Sequence, residues 1–164
     1  MTITTFLAAG LACLIPIFEL RGGLPIALAG GMHPLLAYGY CVALNLLVTP
    51  VVLIFLNTFH KLFLRFAWYK KISDKLIERA RAKVKAKIDK YGFLGLALFV
   101  AIPLPVTGAY TGALGAWILG MDMKKAFLAI SLGVAVAGGL VTGAYYLASA
   151  GYGFFSVFFK NTQL

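Results

Sequence analysis

The chain has 164 residues, of which 62% are apolar and 12% charged, where soluble domains carry about 45–50% and about 25%. Both departures exclude an ordinary soluble domain and put much of the surface in hydrocarbon, and the length suits one domain. The net charge of +10 is concentrated, because residues 60–90 hold 11 of the 15 Lys and Arg and three of the five acids.

Two apolar blocks are therefore joined by one basic segment. The first block, residues 1–59, opens with Phe6–Phe18, apolar but only 13 residues long. It breaks at Pro16 and again at Glu19-Leu20-Arg21-Gly22-Gly23, resumes over Leu24–Ala29, and turns at Gly30-Gly31-Met32-His33-Pro34. Leu35–Leu56 then runs without a formal charge. A crossing needs about 20 apolar residues, so a transmembrane helix is expected over about 35–57. The shorter pieces suit a re-entrant helical hairpin over about 6–31. Cys13 and Cys41 lie in apolar runs without a C-x-x-C pair and read as buried thiols. The first five residues lack the basic region of a signal peptide.

In the linker, Ile72, Leu76, Ala80, Val84 and Ile88 recur every four residues among lysines and arginines. That pattern predicts a basic amphipathic helix over 60–90, laid on the anionic lipid headgroups of a cytoplasmic leaflet. A partner-binding helix is the alternative. Nucleic acid is not expected, since no recognition fold accompanies the charge. Trp68 and Tyr69 stand where interface anchors stand.

The second block, residues 91–164, repeats the plan. Phe93–Ile102 is short and apolar, Pro103-Leu104-Pro105-Val106-Thr107-Gly108 breaks it, and Ala113–Met121 resumes. A second hairpin is expected over about 93–121. Asp122-Met123-Lys124-Lys125 forms a polar corner, and a second transmembrane helix follows over about 126–150, then a tail from Gly151. Ala37, Cys41, Asn45 and Thr49 place small or polar side chains on one face of the first span. Ser131, Ala135, Gly139 and Gly143 do so on the second. Small residues at this spacing let helices pack closely in lipid, within the chain or in a homo-oligomer.

Lys and Arg mark the cytoplasmic side. With residues 60–90, Lys124 and Lys125 all cytoplasmic, the second hairpin must enter and leave from the inside and the first from the outside. The expected fold class is an all-α integral membrane protein, an inverted repeat of a hairpin plus one transmembrane helix. Broken helices meeting near the midplane are a transporter pattern. The rival topology makes 93–121 one kinked crossing.

Glu19 and Arg21 are the one acid and the one base inside the apolar runs. Ionisable residues in a membrane are costly and point to function. Burial favours a neutral carboxyl and a nearby cation the charged one, so Glu19 beside Arg21 is placed to load and release a proton. A structural ion pair pinning the hairpin tip, or a pair at the outer interface, are the alternatives. Gly22 and Gly23 allow close backbone approach. Pro16, Pro25, Pro103 and Pro105 each stop a helix and free backbone groups. Helix N-termini near Leu24 and Ala109–Thr111 would offer N–H groups to an anion. Thr107, Gly108, Tyr110 and Thr111 line the second tip, where the hydroxyls of Thr107, Tyr110 and Thr111 serve a substrate or the freed carbonyls. Asn45 reads as an interhelical hydrogen-bond partner or a substrate ligand. No cluster has metal-ligand spacing, and no nucleophile–base pair, P-loop or dinucleotide fingerprint is present. Neither a cofactor, an enzyme nor ATP-driven transport is expected.

Ile15-Pro16-Ile17-Phe18-Glu19-Leu20-Arg21-Gly22-Gly23-Leu24-Pro25 resembles the Glu-x-Arg-Gly signature of the bacterial and archaeal small multidrug export membrane proteins. Ile102–Tyr110 looks like that family's second signature. The resemblance implies a secondary transporter of the cytoplasmic membrane, related to the DedA superfamily, moving an amphiphilic or anionic substrate such as a lipid-linked carrier or drug-like molecule. It maps the family's membrane acid and arginine onto Glu19 and Arg21. DedA proteins also carry arginines in the second motif, and Pro103–Tyr110 has none. A lipid scaffold or an assembly factor is the non-transport alternative.

Overall fold

Proline and glycine punctuation cuts each apolar block into two short helices and one long one. The computed structural model describes residues 2–63, 65, 92–104 and 107–160, and every regular element among them is a helix. In chain order these are α1 (Ile3–Leu14), α2 (Glu19–Ala29), α3 (Pro34–Phe63), α4 (Gly92–Ala101), α5 (Ala109–Ile118) and α6 (Met123–Lys160). The basic amphipathic helix expected over 60–90 falls, past the end of α3, almost wholly outside the described residues, as does Pro105.

The ends follow from local chemistry. Thr2 caps α1 by accepting the Thr5 N–H. Ile15 is extended (φ −82°, ψ 128°) and ends α1, because the ring of Pro16 excludes the helical conformation from the residue before it. α2 and α5 stop alike. Gly31 (φ 80°) and Gly120 (φ 67°) turn left-handed, and the N–H groups of Met32 and Met121 return to the carbonyls of Ala27 and Ala116, a Schellman closure. The polar corner is a cap: Asp122 accepts the N–H groups of Lys124 and Lys125 at 3.1 Å.

Two expectations are corrected. The first break is shorter than the expected stretch from Pro16 to Gly23, since α2 starts at Glu19 and runs on through Pro25, a residue expected to stop a helix. Proline inside a helix forfeits one N–H bond, and neighbouring helices make that tolerable in a membrane. The segment after Ala150 is no separate tail, because α6 continues to Lys160 with neither Pro nor a polar run to stop it.

At 1.5 Å per residue, α3 (30 residues) and α6 (38 residues) are about 45 and 57 Å long. Both exceed a hydrocarbon core of about 30 Å. α1, α2 and α5, of 12, 11 and 10 residues, reach only about 15–18 Å. α3 lies against α6, and α2 and α5 each touch both long helices. That arrangement brings the two breaks together.

The interior is built from small side chains, among them Ala9, Cys13, Ala27, Ala37, Cys41 and Ala113. A Cβ on Gly23 would collide with the Sγ of Cys13 and lie 2.6 Å from the Ala9 carbonyl, so α1 and α2 are nearly in backbone contact. One on Gly133 would lie 2.6 Å from Val100 Cβ and 2.7 Å from the Ala97 carbonyl. The expected small face of α3 is buried: Ala37, Cys41, Asn45 and Thr49 are each 0% exposed. The expected face of α6 is not, for Gly139 and Gly143 meet nothing within 4 Å and Ser131 and Ala135 are only half-buried. The inward face of α6 is instead Ala126, Ala129, Ile130, Gly133, Val134 and Ala137, because helix contacts recur at spacings of three and four rather than four alone.

Large apolar residues point outward. Leu35, Leu98 and Leu147 are 77%, 64% and 78% exposed while Asn45 and Thr49 are sealed inside. In water this arrangement forfeits the main driving force for folding; in lipid it costs nothing. The apolar windows of α3 and α6 are only 28% and 39% buried, unlike core helices of a soluble protein.

Candidate functional site

The site lies where the first break meets the second. Glu19 begins α2 with φ 48°, left-handed backbone that costs an L-residue about 1–2 kcal/mol. Its surroundings hold it there. The carboxylate accepts the N–H of Ala109 at 3.2 Å through Oε2 and that of Tyr110 at 3.1 Å through Oε1. These are the first N–H groups of α5, whose N-cap, Gly108, has no side chain to satisfy them. A carboxylate also suits the positive end of the helix macrodipole.

Arg21, two residues further along α2, serves the other side of the break. Its Nη1 donates to Glu19 Oε2 at 3.2 Å. Its Nη2 faces the carbonyls of Val100 (3.3 Å) and Ile102 (3.1 Å) and the hydroxyl of Thr107 (2.9 Å). A cation thus sits at the C-terminal end of α4 and an anion at the N-terminal start of α5, each where the dipole favours it. Thr107 lies 2.7 and 2.8 Å from the carbonyls of Ile102 and Leu104. Its single proton bonds them while its oxygen accepts from Arg21. The Tyr110 hydroxyl donates to the carbonyl of Leu14 at 2.6 Å, closing the end of α1. The result is a clasp across the two halves, with the Glu19 and Arg21 side chains 6% and 17% exposed.

Gly108 is where the clasp is tightest. A Cβ there would run into Glu19 Oε2 and lie 2.6 Å from Arg21 Nη1. Beside the clasp opens a cavity of about 210 Å³ lined by Pro16, Ile17, Glu19, Arg21, Leu104, Thr107 and Thr111.

Of the residues singled out from the sequence, Glu19, Arg21, Pro16, Thr107, Gly108, Tyr110 and Thr111 come together here. Asn45 lies just behind, donating through Nδ2 to the carbonyls of Cys13 (3.4 Å) and Cys41 (3.2 Å). Gly22 packs on the side chain of Phe18 and Gly23 on α1; both serve packing. Pro25 lies within α2, and Pro103 follows the end of α4. Two readings change. No helix starts near Leu24, which is fully buried within α2. The N–H groups of Ala109 and Tyr110 are held by the protein's own carboxylate, and the Tyr110 hydroxyl satisfies a carbonyl. The carbonyls of Val100 and Ile102, and Leu20, Val134 and Ala137 nearby, carried no sequence signal. One signal was available for Glu19: a helix beginning after Gly, with no Ser, Thr, Asp or Asn to cap it, needs an acceptor from elsewhere.

A family model described as "Putative small multi-drug export protein" matches residues 19–140. The chain belongs to that family. No curated protein and no solved structure matches the chain. The small multi-drug export match begins on Glu19 and takes in Arg21, Asn45, Gly108 and Tyr110. With the outward apolar faces of α3 and α6, family membership makes this a membrane protein, and the family's description names export rather than catalysis.

Proposed function

We propose that the chain is a secondary transporter of the cytoplasmic membrane in which Glu19 carries a proton and competes with an anionic or amphiphilic substrate for one positive cradle. The observation that carries this reading is the placement of the Glu19 carboxylate. It sits on the N-terminus of α5 and on Arg21, at the wall of a cavity of about 210 Å³. Arg21 and the start of α5 together balance one negative charge. While Glu19 is ionised, that charge is its own. When Glu19 takes a proton, its charge is lost, and a carboxylate or phosphate group entering the cavity supplies the replacement. Proton and anion therefore bind together, which is the coupling rule of a co-transporter. The strained φ of Glu19 favours its release from the clasp.

The topology we propose for this cycle is the inverted repeat. α1–α2 forms a hairpin entering from outside, α4–α5 one entering from inside, and the clasp lies between their tips. Helices of about 15–18 Å that end in the fold interior support it, as does the placement of Lys124 and Lys125 on the cytoplasmic side by the charge rule. The resemblance to DedA proteins, which rests on the sequence motifs alone, makes a lipid-linked anionic carrier the first substrate to try.

The test is proton-coupled uptake in liposomes under an imposed pH gradient, with purified monodisperse protein. Glu19→Gln is expected to fold and lose gradient-driven movement, and Glu19→Asp to keep part of it. Full activity in Glu19→Gln ends the proton role. A second reading is supported by the mutual satisfaction of the clasp groups: a membrane scaffold whose halves are stapled by an ion pair. A scaffold loses stability in Glu19→Gln without any dependence of function on the gradient.

A further inference from the structure

Behind the clasp lies a second, smaller chamber, bounded by Glu19, Leu20, Arg21, Asn45, Val134 and Ala137 among others. Its volume is about 10 Å³, the lower limit for one water molecule. Two buried polar atoms on the residues lining it lack a hydrogen-bond partner: Arg21 Nε and Asn45 Oδ1. Asn45 is 0% exposed. The orientation of its amide is settled by its other neighbours. The groups on its far side are the carbonyls of Cys13 and Cys41, which only accept, so the NH₂ must face them and Oδ1 must face away. Arg21 Nε can only donate and Asn45 Oδ1 can only accept. A group bridging them must both accept and donate, and the space admits nothing larger than water.

We propose that this chamber is a binding site for a single water molecule that accepts from Arg21 Nε and donates to Asn45 Oδ1, and that Asn45 is through this water a positioning residue for the Arg21 guanidinium. With the water, each guanidinium nitrogen of Arg21 has a partner: Nη1 has Glu19, Nη2 the end of α4 and Thr107, and Nε the water. It joins the clasp to α3, an element that neither Glu19 nor Arg21 bonds directly. The inference does not depend on transport, because it concerns only the packing of α2, α3 and α6.

The deciding experiment is a structure of the full chain in a lipid nanodisc at a resolution that shows ordered waters. The expected result is one peak at hydrogen-bonding distance, about 2.7–3.2 Å, from both atoms. No peak with both side chains ordered, or an Asn45 amide turned the other way, overturns the proposal. A double-mutant cycle supplies a second measurement. Val134→Ile fills the chamber from α6 without touching a polar group and is expected to lower the melting temperature by roughly 2 °C or more. In an Asn45→Leu background, where the acceptor for the water is already gone, the same change is expected to cost far less. An equal loss in both backgrounds means a steric effect alone, and the water site falls.

Discussion

Adding one methyl group at Gly108 presses directly on the clasp, on a backbone (φ 158°) that itself disfavours a side chain. The Cβ of Gly108→Ala would overlap Glu19 Oε2 and lie 2.6 Å from both Glu19 Cδ and Arg21 Nη1. The carboxylate must therefore leave the N-terminus of α5, or α5 must draw back. Stranding one of the two N–H groups that Glu19 satisfies costs about 1–3 kcal/mol. Forcing the neighbours apart costs about 1–3 kcal/mol more. For a chain of this size a melting temperature falls roughly 2–4 °C per kcal/mol, so the expected loss is on the order of 10 °C. Gly115→Ala on the same helix is the control, since a Cβ there meets nothing within 4 Å. The assay is thermal unfolding of both variants in detergent, followed by gradient-driven uptake in liposomes. If Gly108→Ala melts within about 1 °C of Gly115→Ala, the carboxylate is not held as described and the reasoning fails.

Gly133→Ala should destabilise strongly, because its Cβ would press on the Ala97 carbonyl, while Gly139→Ala should be neutral, having nothing within 4 Å; equal melting temperatures would refute the packing of α4 on α6. Tyr110→Phe removes the 2.6 Å bond to the Leu14 carbonyl and should cost about 1 kcal/mol in an unfolding assay, yet retain transport, since the N–H that binds Glu19 is unchanged. Arg21→Lys keeps the charge but loses the planar fork that reaches Glu19, α4 and Thr107 together, so uptake should fall sharply; wild-type rates would show that charge alone suffices. Cysteine placed at Lys124 should label only from the cytoplasmic side of intact cells, and labelling from outside would reject the inverted topology.

Much of the architecture was legible because it rests on local rules. Apolar run length separates α3 and α6 from the short helices. The residue before Pro16 cannot be helical, and glycine at residues 31 and 120 permits the left-handed turns that end α2 and α5. Glu19 and Arg21 were legible as a candidate site because charge in an apolar run is rare and costly, whatever its partners. Where local rules competed with packing, they misled. Pro25 reads as a helix stop, but α2 passes through it within a packed bundle. Spacing four picked a face of α6 that lies away from this chain's own core, since only the neighbour in space decides which of Gly133 and Gly139 is buried.

Arg21 beside Glu19, and N–H groups near Ala109–Thr111 open to an anion, were legible; that the anion would be Glu19 itself was not. Ala109 and Tyr110 lie far along the chain and contribute backbone N–H groups that every non-proline residue has. The same holds for the Val100 and Ile102 carbonyls around Arg21 and for the unpaired oxygen of Asn45. Side-chain chemistry and chain punctuation are written residue by residue, so the sequence by itself determined a membrane protein with two long helices, two broken segments and one buried acid–base pair. Backbone groups carry no residue-specific signal, so only the packing of α2 and α5 between α3 and α6 decided which of them that pair would meet.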